Sequence, residues 1–391
     1  MRRIGIYGGS FNPPHVGHVR LVQSAFEALS PERVYVIPAC QAPNKQGEAC
    51  AEGTHRMQML NLCFRDMPEV VVSDMELQRG GVSYTVDTLR QLCEENPDTV
   101  PVLFLGSDSF CAFQNWYQWE SILKMATLAV FSRGDKDEEA ALEKQKNALE
   151  AYGARIEIVK NAVTQISSTD IRRMLTFRCA DEYLNPMVAG YIQWNGLYGT
   201  GRNLRGLPME KLEETVISLL SPNRVKHVLG CRDTAVELAR RWGADETDAA
   251  RAGLLHDVTK ALKGQQQLTL CEAYGIVLDD FSRKNTKTLH ALTGSLVAKR
   301  IFGENDAVVS AIESHTTGKA DMSLLEKIIY VADYMEPNRD FPGVGQLRRL
   351  AFADMDEALR MGLEMTLQML LKDGKEVSPG SMEALFWLNK K

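Results

Sequence analysis

Two domains of different class are predicted, an α/β domain with a doubly wound parallel sheet followed by an all-α domain. Three observations carry that prediction. The chain has 391 residues, and at roughly 150 residues per domain it is long enough for two or three. Up to about residue 195, short β-rich runs alternate with helical patterns, the order that builds a parallel sheet with helices on both faces. From Met209 onward the apolar periodicity is helical, with few β-branched runs.

The strands are expected at Arg3–Tyr7, Arg33–Ile37, Val70–Ser73, Val102–Gly106, Leu128–Ser132 and Arg155–Val159. Helices between them are expected at Val16–Leu29, His55–Asp66, Tyr84–Glu95 and Glu138–Tyr152. The charge-rich run Asp135–Lys146 reads as a solvated helix face. Tyr198–Pro208 holds three Gly and one Pro in eleven residues and reads as a linker. The chain therefore divides near residue 205, giving a first domain over about 1–200 and a second over 201–391. No internal repeat or low-complexity tract interrupts this division.

Composition narrows the function classes. With 45% hydrophobic and 25% charged residues the chain is of ordinary globular type. A net charge of -6 leaves no basic footprint, so nucleic acid is not expected as a partner, and a phosphate-bearing ligand must be held by local groups. Eight Cys occur without a C-x-x-C pair, which argues against a zinc knuckle or a thioredoxin motif and suits a reducing, cytoplasmic setting. The apolar run near the start is too short for a signal peptide, and no 18-residue apolar stretch exists, so no membrane partner is expected. Self-association as a homo-oligomer is left open.

The first candidate site follows the first strand: Gly8, Gly9, Ser10, Phe11, Asn12, Pro13, Pro14, His15, Val16, Gly17, His18, then an apolar-periodic helix. Glycines at a strand-to-helix turn let backbone N–H groups approach an anion, and a helix N-terminus favours negative charge. His15 and His18 are three apart and share a face of the first turn, where two imidazoles can donate to phosphate oxygens. The loop is neither G-x-G-x-x-G nor G-x-x-x-x-G-K-[ST], which argues against a dehydrogenase or a P-loop enzyme. A second phosphate-type helix start, Gln165-Ile166-Ser167-Ser168-Thr169-Asp170-Ile171-Arg172-Arg173, follows the last strand. Ser167 or Ser168 can cap it, and Arg172 can grip phosphate bidentately.

GGSFNPPHVGH with ISSTDIR resembles the H-x-G-H nucleotidyltransferase superfamily. IPACQAPNK (37–45), HRMQML (55–60), MELQRGGVSYTVDTL (75–89), LGSDSF (105–110) and NWYQWESIL (115–123) narrow the resemblance to the bacterial nicotinate-nucleotide adenylyltransferases, over about residues 1–195. The resemblance implies a Rossmann-like fold and transfer of adenylyl from ATP to nicotinate mononucleotide, with Mg²⁺ on the phosphates. It implies that Gly8, Gly9, Ser10, Phe11, His15 and His18 surround ATP, with His18 nearest the reacting phosphorus. Ile166, Ser167, Ser168 and Arg172 would hold the outgoing pyrophosphate, Gly106 and Asp108 the nucleoside end. Trp116 would stack on the pyridine ring, the Tyr117 N–H would meet its carboxylate near Thr85, and Lys45 would sit over phosphate. The family commonly shows P-P-H-K where this chain has Ala42-Pro43-Asn44-Lys45.

The second candidate site lies in the helical half, which carries four of the seven His: 227, 256, 290 and 315. Each falls on the apolar stripe of its own helical pattern, as does Asp333, and Asp257 directly follows His256. Burying six polar groups without partners costs about 1–3 kcal/mol each, whereas a shared metal centre satisfies all of them. An N/O donor set without thiolate suits Fe, Mn, Co or Zn, and six ligands exceed one tetrahedral Zn, so two ions bridged by Asp257 are expected. The pattern His227, His256-Asp257, Asp333 resembles the HD phosphohydrolases, with His290 and His315 as the further ligands of the two-metal members. AGLLHDVTK, ESHTTGKADMSLLEKIIYVADYMEPNRDFPGV and LRRLA resemble the bacterial YqeK family over about residues 215–385. That resemblance implies symmetrical hydrolysis of diadenosine tetraphosphate to two ADP at a di-iron centre, with Asp257 central and Lys260, Thr317 and Arg339 as phosphate contacts.

The sequence thus points to a bifunctional enzyme. The alternative is an adenylyltransferase with another acceptor, such as pantetheine phosphate, joined to a helical nucleotide-sensing regulatory module.

Overall fold

The computed structural model describes residues 2–43, 49–132, 136–160 and 166–390. It divides into two compact units, Met1–Leu175 with Ala180–Gly201, and Arg202–Lys391 with the short stretch Thr176–Cys179.

The first unit is a six-stranded sheet of β1 (Arg2–Gly9), β2 (Arg33–Pro38), β3 (Val70–Val72), β4 (Thr99–Gly106), β5 (Thr127–Ser132) and β6 (Ile156–Lys160). Every pairing is parallel and the order is β3-β2-β1-β4-β5-β6. The central strands are apolar on both faces; β5 is buried throughout, as a sheet covered by helices requires. The order reverses between β1 and β4, and a crevice opens at the carboxyl ends of strands on either side of such a reversal. Gly5 lets β1 and β4 pair with a large ring between them: a Cβ there would lie 2.4 Å from the Phe104 ring. Helices α1 (Val16–Leu29), α2 (Gly53–Cys63), α3 (Thr85–Glu95) and α4 (Ser168–Thr176) matter to the site. The core on one side of the sheet joins Ile6, Leu103 and Leu105 to Val86, Leu89 and Leu92 of α3.

The second unit is helical. Its site is built by α5 (Pro222–Trp242), α6 (Glu246–Leu255), α7 (Leu289–Val297), α8 (Asp306–Ser314) and α9 (Leu324–Met335). Each presents fully buried apolar residues: Val228, Ala235 and Leu238 on α5, Leu254 on α6, Val297 on α7, Ile312 on α8, Ile328 and Ile329 on α9. Gly253 fixes the approach of α6 to α5, since a Cβ would lie 2.7 Å from the Arg232 backbone. No helix among the described residues is long and apolar enough to cross a membrane.

Candidate active sites

In the α/β unit the chain leaves β1 through Gly8, Gly9 and Ser10 and turns at Phe11, which takes a left-handed φ of 46°. Phe11 is buried, edge-on to Tyr7 and His18 at 5.3 and 5.0 Å between ring centroids. The helix that follows is capped by imidazoles. His15 is the N-cap of α1; its Nδ1 accepts the Gly17 N–H at 3.2 Å, and the Nδ1 of His18 accepts the His15 N–H at 3.0 Å. The two rings lie 3.7 Å apart between centroids. A backbone N–H can only donate, so each Nδ1 is an acceptor and the proton of each neutral ring sits on Nε2. Burial pushes the His15 imidazolium down to a pKa of about 4, against the opposing charge of Asp170. The turn thus presents Nε2–H donors at a helix N-terminus, the chemistry that grips phosphate.

The second predicted segment meets the first. The hydroxyl of Ser167 accepts the Asp170 N–H at 3.1 Å, and the Asp170 carboxylate accepts from the Ser167 N–H and hydroxyl at 3.3 and 2.8 Å. This reciprocal cap makes Ser167 the residue that opens α4. Ser168 Oγ donates to the Pro13 carbonyl at 2.9 Å and Arg172 Nη1 to the Asn12 carbonyl at 2.7 Å, so the start of α4 is bonded onto the turn after β1. Ile166 precedes this cap and is half-buried. Gly106 ends β4 and Asp108 lies in the short helix Ser107–Cys111, both exposed. Thr85 opens α3. Trp116 packs on Phe113 at 5.4 Å, and Tyr117, exposed, lies 4.7 Å from Tyr84. Lys45, Asn44 and Gln165 lie outside the described residues.

In the helical unit six side chains converge. His227 and His256 face each other through Nε2 at 3.2 Å, and His290 and His315 do the same at 3.2 Å. Asp257 lies between the pairs. Its Oδ2 is 3.4 Å from His256 Nε2 and 3.6 Å from His227 Nε2; its Oδ1 is 3.4 Å from His290 Nε2 and 3.8 Å from His315 Nε2. Asp333 Oδ1 joins the first pair, 3.1 Å from His227 Nε2. Each ring is oriented from outside. His256, His290 and His315 direct Nδ1 to the carbonyls of Gly253, Lys287 and Ile312 at 2.8, 2.8 and 2.6 Å, each three residues back in the chain. His227 Nδ1 meets the buried carboxylate of Glu336 at 3.1 Å. A carbonyl can only accept, so these Nδ1 atoms donate, and a neutral ring held this way points its Nε2 lone pair inward. Burial lowers His290 and His315 to pKa values of about 3 and 4, which keeps both rings neutral. Burial disfavours ionised Asp257 and Asp333, but charge on the His256 ring, which Cys231 and Asp257 lift well above the usual imidazole range against burial, and contact with His227 hold both carboxyls well below the usual carboxylate range. Inward lone pairs, two carboxylates and the Asp257 Oδ1, buried without a hydrogen-bond partner, form a donor set that fits metal ions. The triads His227, His256, Asp333 and His256, Asp257, His315 each bring their donor atoms within 4.8 Å of one another.

Around the cluster, Lys260 Nζ is 2.9 Å from His290 Nε2, and Arg339 Nη2 donates to Asp333 Oδ1 at 2.7 Å. Thr317 turns its hydroxyl to the Gly318 carbonyl at 3.3 Å; it is Thr316 that approaches the Nε2 atoms of His290 and His315, at 3.1 Å each. Arg224, which pairs with Asp257, and Glu336 are absent from the expected set. Both had a signal in the sequence. Arg224 stands three before His227 and Glu336 three after Asp333, the spacing that shares a helix face.

Residues 6–174 match the cytidylyltransferase-like family model and residues 224–338 the HD domain model. A Symbiobacterium thermophilum protein named "Probable nicotinate-nucleotide adenylyltransferase" is 33% identical over 204 residues, 52% of this chain and 98% of its own. The Bacillus subtilis "Bis(5'-nucleosyl)-tetraphosphatase, symmetrical" is 37% identical over 170 residues, 43% of this chain and 91% of its own. A Mycoplasma pneumoniae protein named "Probable nicotinate-nucleotide adenylyltransferase/Ap4A hydrolase" is 26% identical over 336 residues, 85% of this chain and 88% of its own. A parallel α/β unit with an imidazole-capped phosphate turn and a helical unit with a His/Asp cluster are thus joined in one polypeptide, which belongs to the nicotinate-nucleotide adenylyltransferase family and, through its HD domain, to the family of symmetrical bis(5'-nucleosyl)-tetraphosphatases.

Proposed function

We propose that the α/β unit transfers adenylyl from ATP to nicotinate mononucleotide, giving deamido-NAD and pyrophosphate, and that the helical unit splits diadenosine tetraphosphate symmetrically to two ADP. For the first activity the carrying observation is the imidazole cap. The phosphate of the mononucleotide is already anionic, so the attack on the α-phosphorus of ATP needs positioning and charge neutralisation rather than a strong base. His18 and His15 supply Nε2–H donors where charge develops, while Ser167, Ser168 and Arg172 receive the departing pyrophosphate. Gly106 and Asp108 take the nucleoside end, Trp116, Tyr117 and Thr85 the pyridine nucleotide, Lys45 a phosphate, and Mg²⁺ accompanies ATP.

For the second activity the carrying observation is Asp257, whose two oxygens face two different imidazole pairs. His227, His256, Asp333 and Asp257 Oδ2 would hold one ion; His290, His315 and Asp257 Oδ1 would hold the other. Fe is the proposed metal, with Mn, Co and Zn compatible with the same donors. When bound, such ions supply Lewis-acid neutralisation of a phosphate and an activated water. Lys260, Arg339 and Thr316 border the cluster and would meet the remaining phosphate oxygens.

The test is a product assay. Purified protein is given ATP with nicotinate mononucleotide, then diadenosine tetraphosphate, alongside metal analysis. Deamido-NAD and ADP are expected. ATP with AMP from the second substrate would mean asymmetric cleavage, and no turnover with a full metal complement would make the helical unit a sensor.

A further inference from the structure

Behind the turn after β1 lies a cavity of about 220 Å³, lined among others by Ser10, Cys40, Cys50, Ser168, Arg172 and Arg56. Two guanidinium groups border it, and none of its described lining residues is acidic. Arg172 belongs to the phosphate-binding segment already described, whereas Arg56, on the first turn of α2, has been given no role.

Arg56 is only 3% exposed. Its Nε donates to the Ala51 carbonyl at 2.9 Å, and its Nη1 to the carbonyls of Ser10 and Ala39 at 3.0 and 2.7 Å. Among the described residues no carboxylate pairs with it, and its Nη2 has no partner. Three carbonyls fix the group in place and leave its full charge uncompensated. A buried charge of this kind is costly unless an opposite charge joins it.

A second orphaned group stands nearby. Tyr198 takes a left-handed φ of 55° between Gly196 and Gly199, at 59° and 76°. That conformation is unfavourable for a side chain with a Cβ, and here it tucks the ring inward. The phenol hydroxyl is buried and makes no hydrogen bond. Arg56, Arg172 and Cys50 are among its electrostatic neighbours.

We propose that Arg56 and Tyr198 complete a pyrophosphate subsite of the α/β unit, Arg56 supplying the second guanidinium beside Arg172 and Tyr198 a hydroxyl donor. The inference rests on the adenylyltransferase reading and deepens it. Two cations with no acid fit a multiply charged anion rather than a monoanion or a neutral group. The species with that charge here is the β,γ-diphosphate of ATP, which becomes free pyrophosphate. Arg56 and Tyr198 are positioning residues for the leaving group, since neither is placed at the α-phosphorus.

The experiment measures the reverse reaction of the full chain, pyrophosphorolysis of deamido-NAD, and the binding of inorganic pyrophosphate by calorimetry. Arg56→Gln should raise the KM for pyrophosphate at least tenfold and weaken its binding in parallel, with the KM for deamido-NAD nearly unchanged. Arg56→Lys should recover part of the loss. Tyr198→Phe removes a hydroxyl that has no partner, so the thermal midpoint should hold or rise while the KM for pyrophosphate increases about threefold or more. If Arg56→Gln lowers only kcat and the midpoint, with pyrophosphate affinity intact, Arg56 is a loop clamp and the proposal falls. An unchanged pyrophosphate KM in Tyr198→Phe removes the hydroxyl from it. Failure of the adenylyltransferase reading would show differently, as wild-type protein that makes no deamido-NAD. Calorimetry on the wild type and Arg56→Gln still decides whether the cavity takes the anion.

Discussion

The two sites hold the same side chain by Nδ1 in opposite senses, as acceptor in one and as donor in the other. At the start of α1 the backbone offers free N–H groups, so His15 and His18 accept through Nδ1 and carry the proton on Nε2. At the ends of α6 and α8 the backbone offers acceptor carbonyls, so His256 and His315 donate through Nδ1, and the neutral His315 turns a bare Nε2 inward. A helix leaves donors unpaired at one end and acceptors at the other. Placing a histidine at one end or the other thus selects between a phosphate donor and a metal ligand, before any other group takes part.

This contrast can be broken at several points, and the largest effect is expected at Asp257. Asp257→Ala removes the carboxylate that faces both imidazole pairs. Metal ions at a phosphate contribute several kcal/mol, so tetraphosphate hydrolysis should fall on the order of a thousandfold. Bound metal, read by elemental analysis, should drop with it. Adenylyl transfer should stay within about twofold, because its motifs lie in the other unit; a folded variant that loses transfer as well would refute the separation. Next comes His18→Ala, which removes an Nε2–H donor and the acceptor for the His15 N–H. Transfer should fall about tenfold to a hundredfold with hydrolysis retained.

A smaller change is expected at Glu336, the acceptor for His227 Nδ1. Glu336→Ala frees that ring to take the other tautomer, and metal affinity in a chelator competition should weaken about tenfold. Trp116 tests the pyridine end. Its ring packs on Phe113, so a stacked ligand would use the other face. Trp116→Ala should raise the KM for nicotinate mononucleotide about fivefold and leave that for ATP in place; failure of ATP binding would make it a core residue. Finally, ¹⁵N-histidine spectra of the metal-loaded chain check the contrast itself. His15 and His18 should appear as Nε2–H tautomers and His290 and His315 as Nδ1–H, and a common tautomer in both units would remove it.

How much of this was legible in the sequence depended on periodicity. The strands and the helix Val16–Leu29 were found because apolar spacing reports burial directly, and the four helical histidines because each interrupts an apolar stripe. Where periodicity stops, so does the reading. His315 sits just past the last turn of α8, and the approach of the next residue, Thr316, to the imidazoles of His290 and His315 follows from no helical spacing. Arg56 lay within a recognised motif, yet its burial and its three carbonyl partners come from separate loops that no local pattern relates. The role of Asp257 was legible for another reason: adjacency to His256 delivers two donors from one peptide unit.

The imidazole cap carries a consequence for acid stability. His15 can accept the Gly17 N–H only as the neutral ring, which burial preserves down to a pKa of about 4. In an unfolded chain the same ring protonates near 6.5. The unfolded state therefore binds more protons between those values, and the stabilisation from a neutral His15 is complete above about pH 6.5 and is lost as the pH falls through 4. Acidification then loosens the α/β unit at the turn proposed to hold the triphosphate. Bound nucleotide, which holds that turn in its neutral form, should shift acid unfolding of this unit to lower pH.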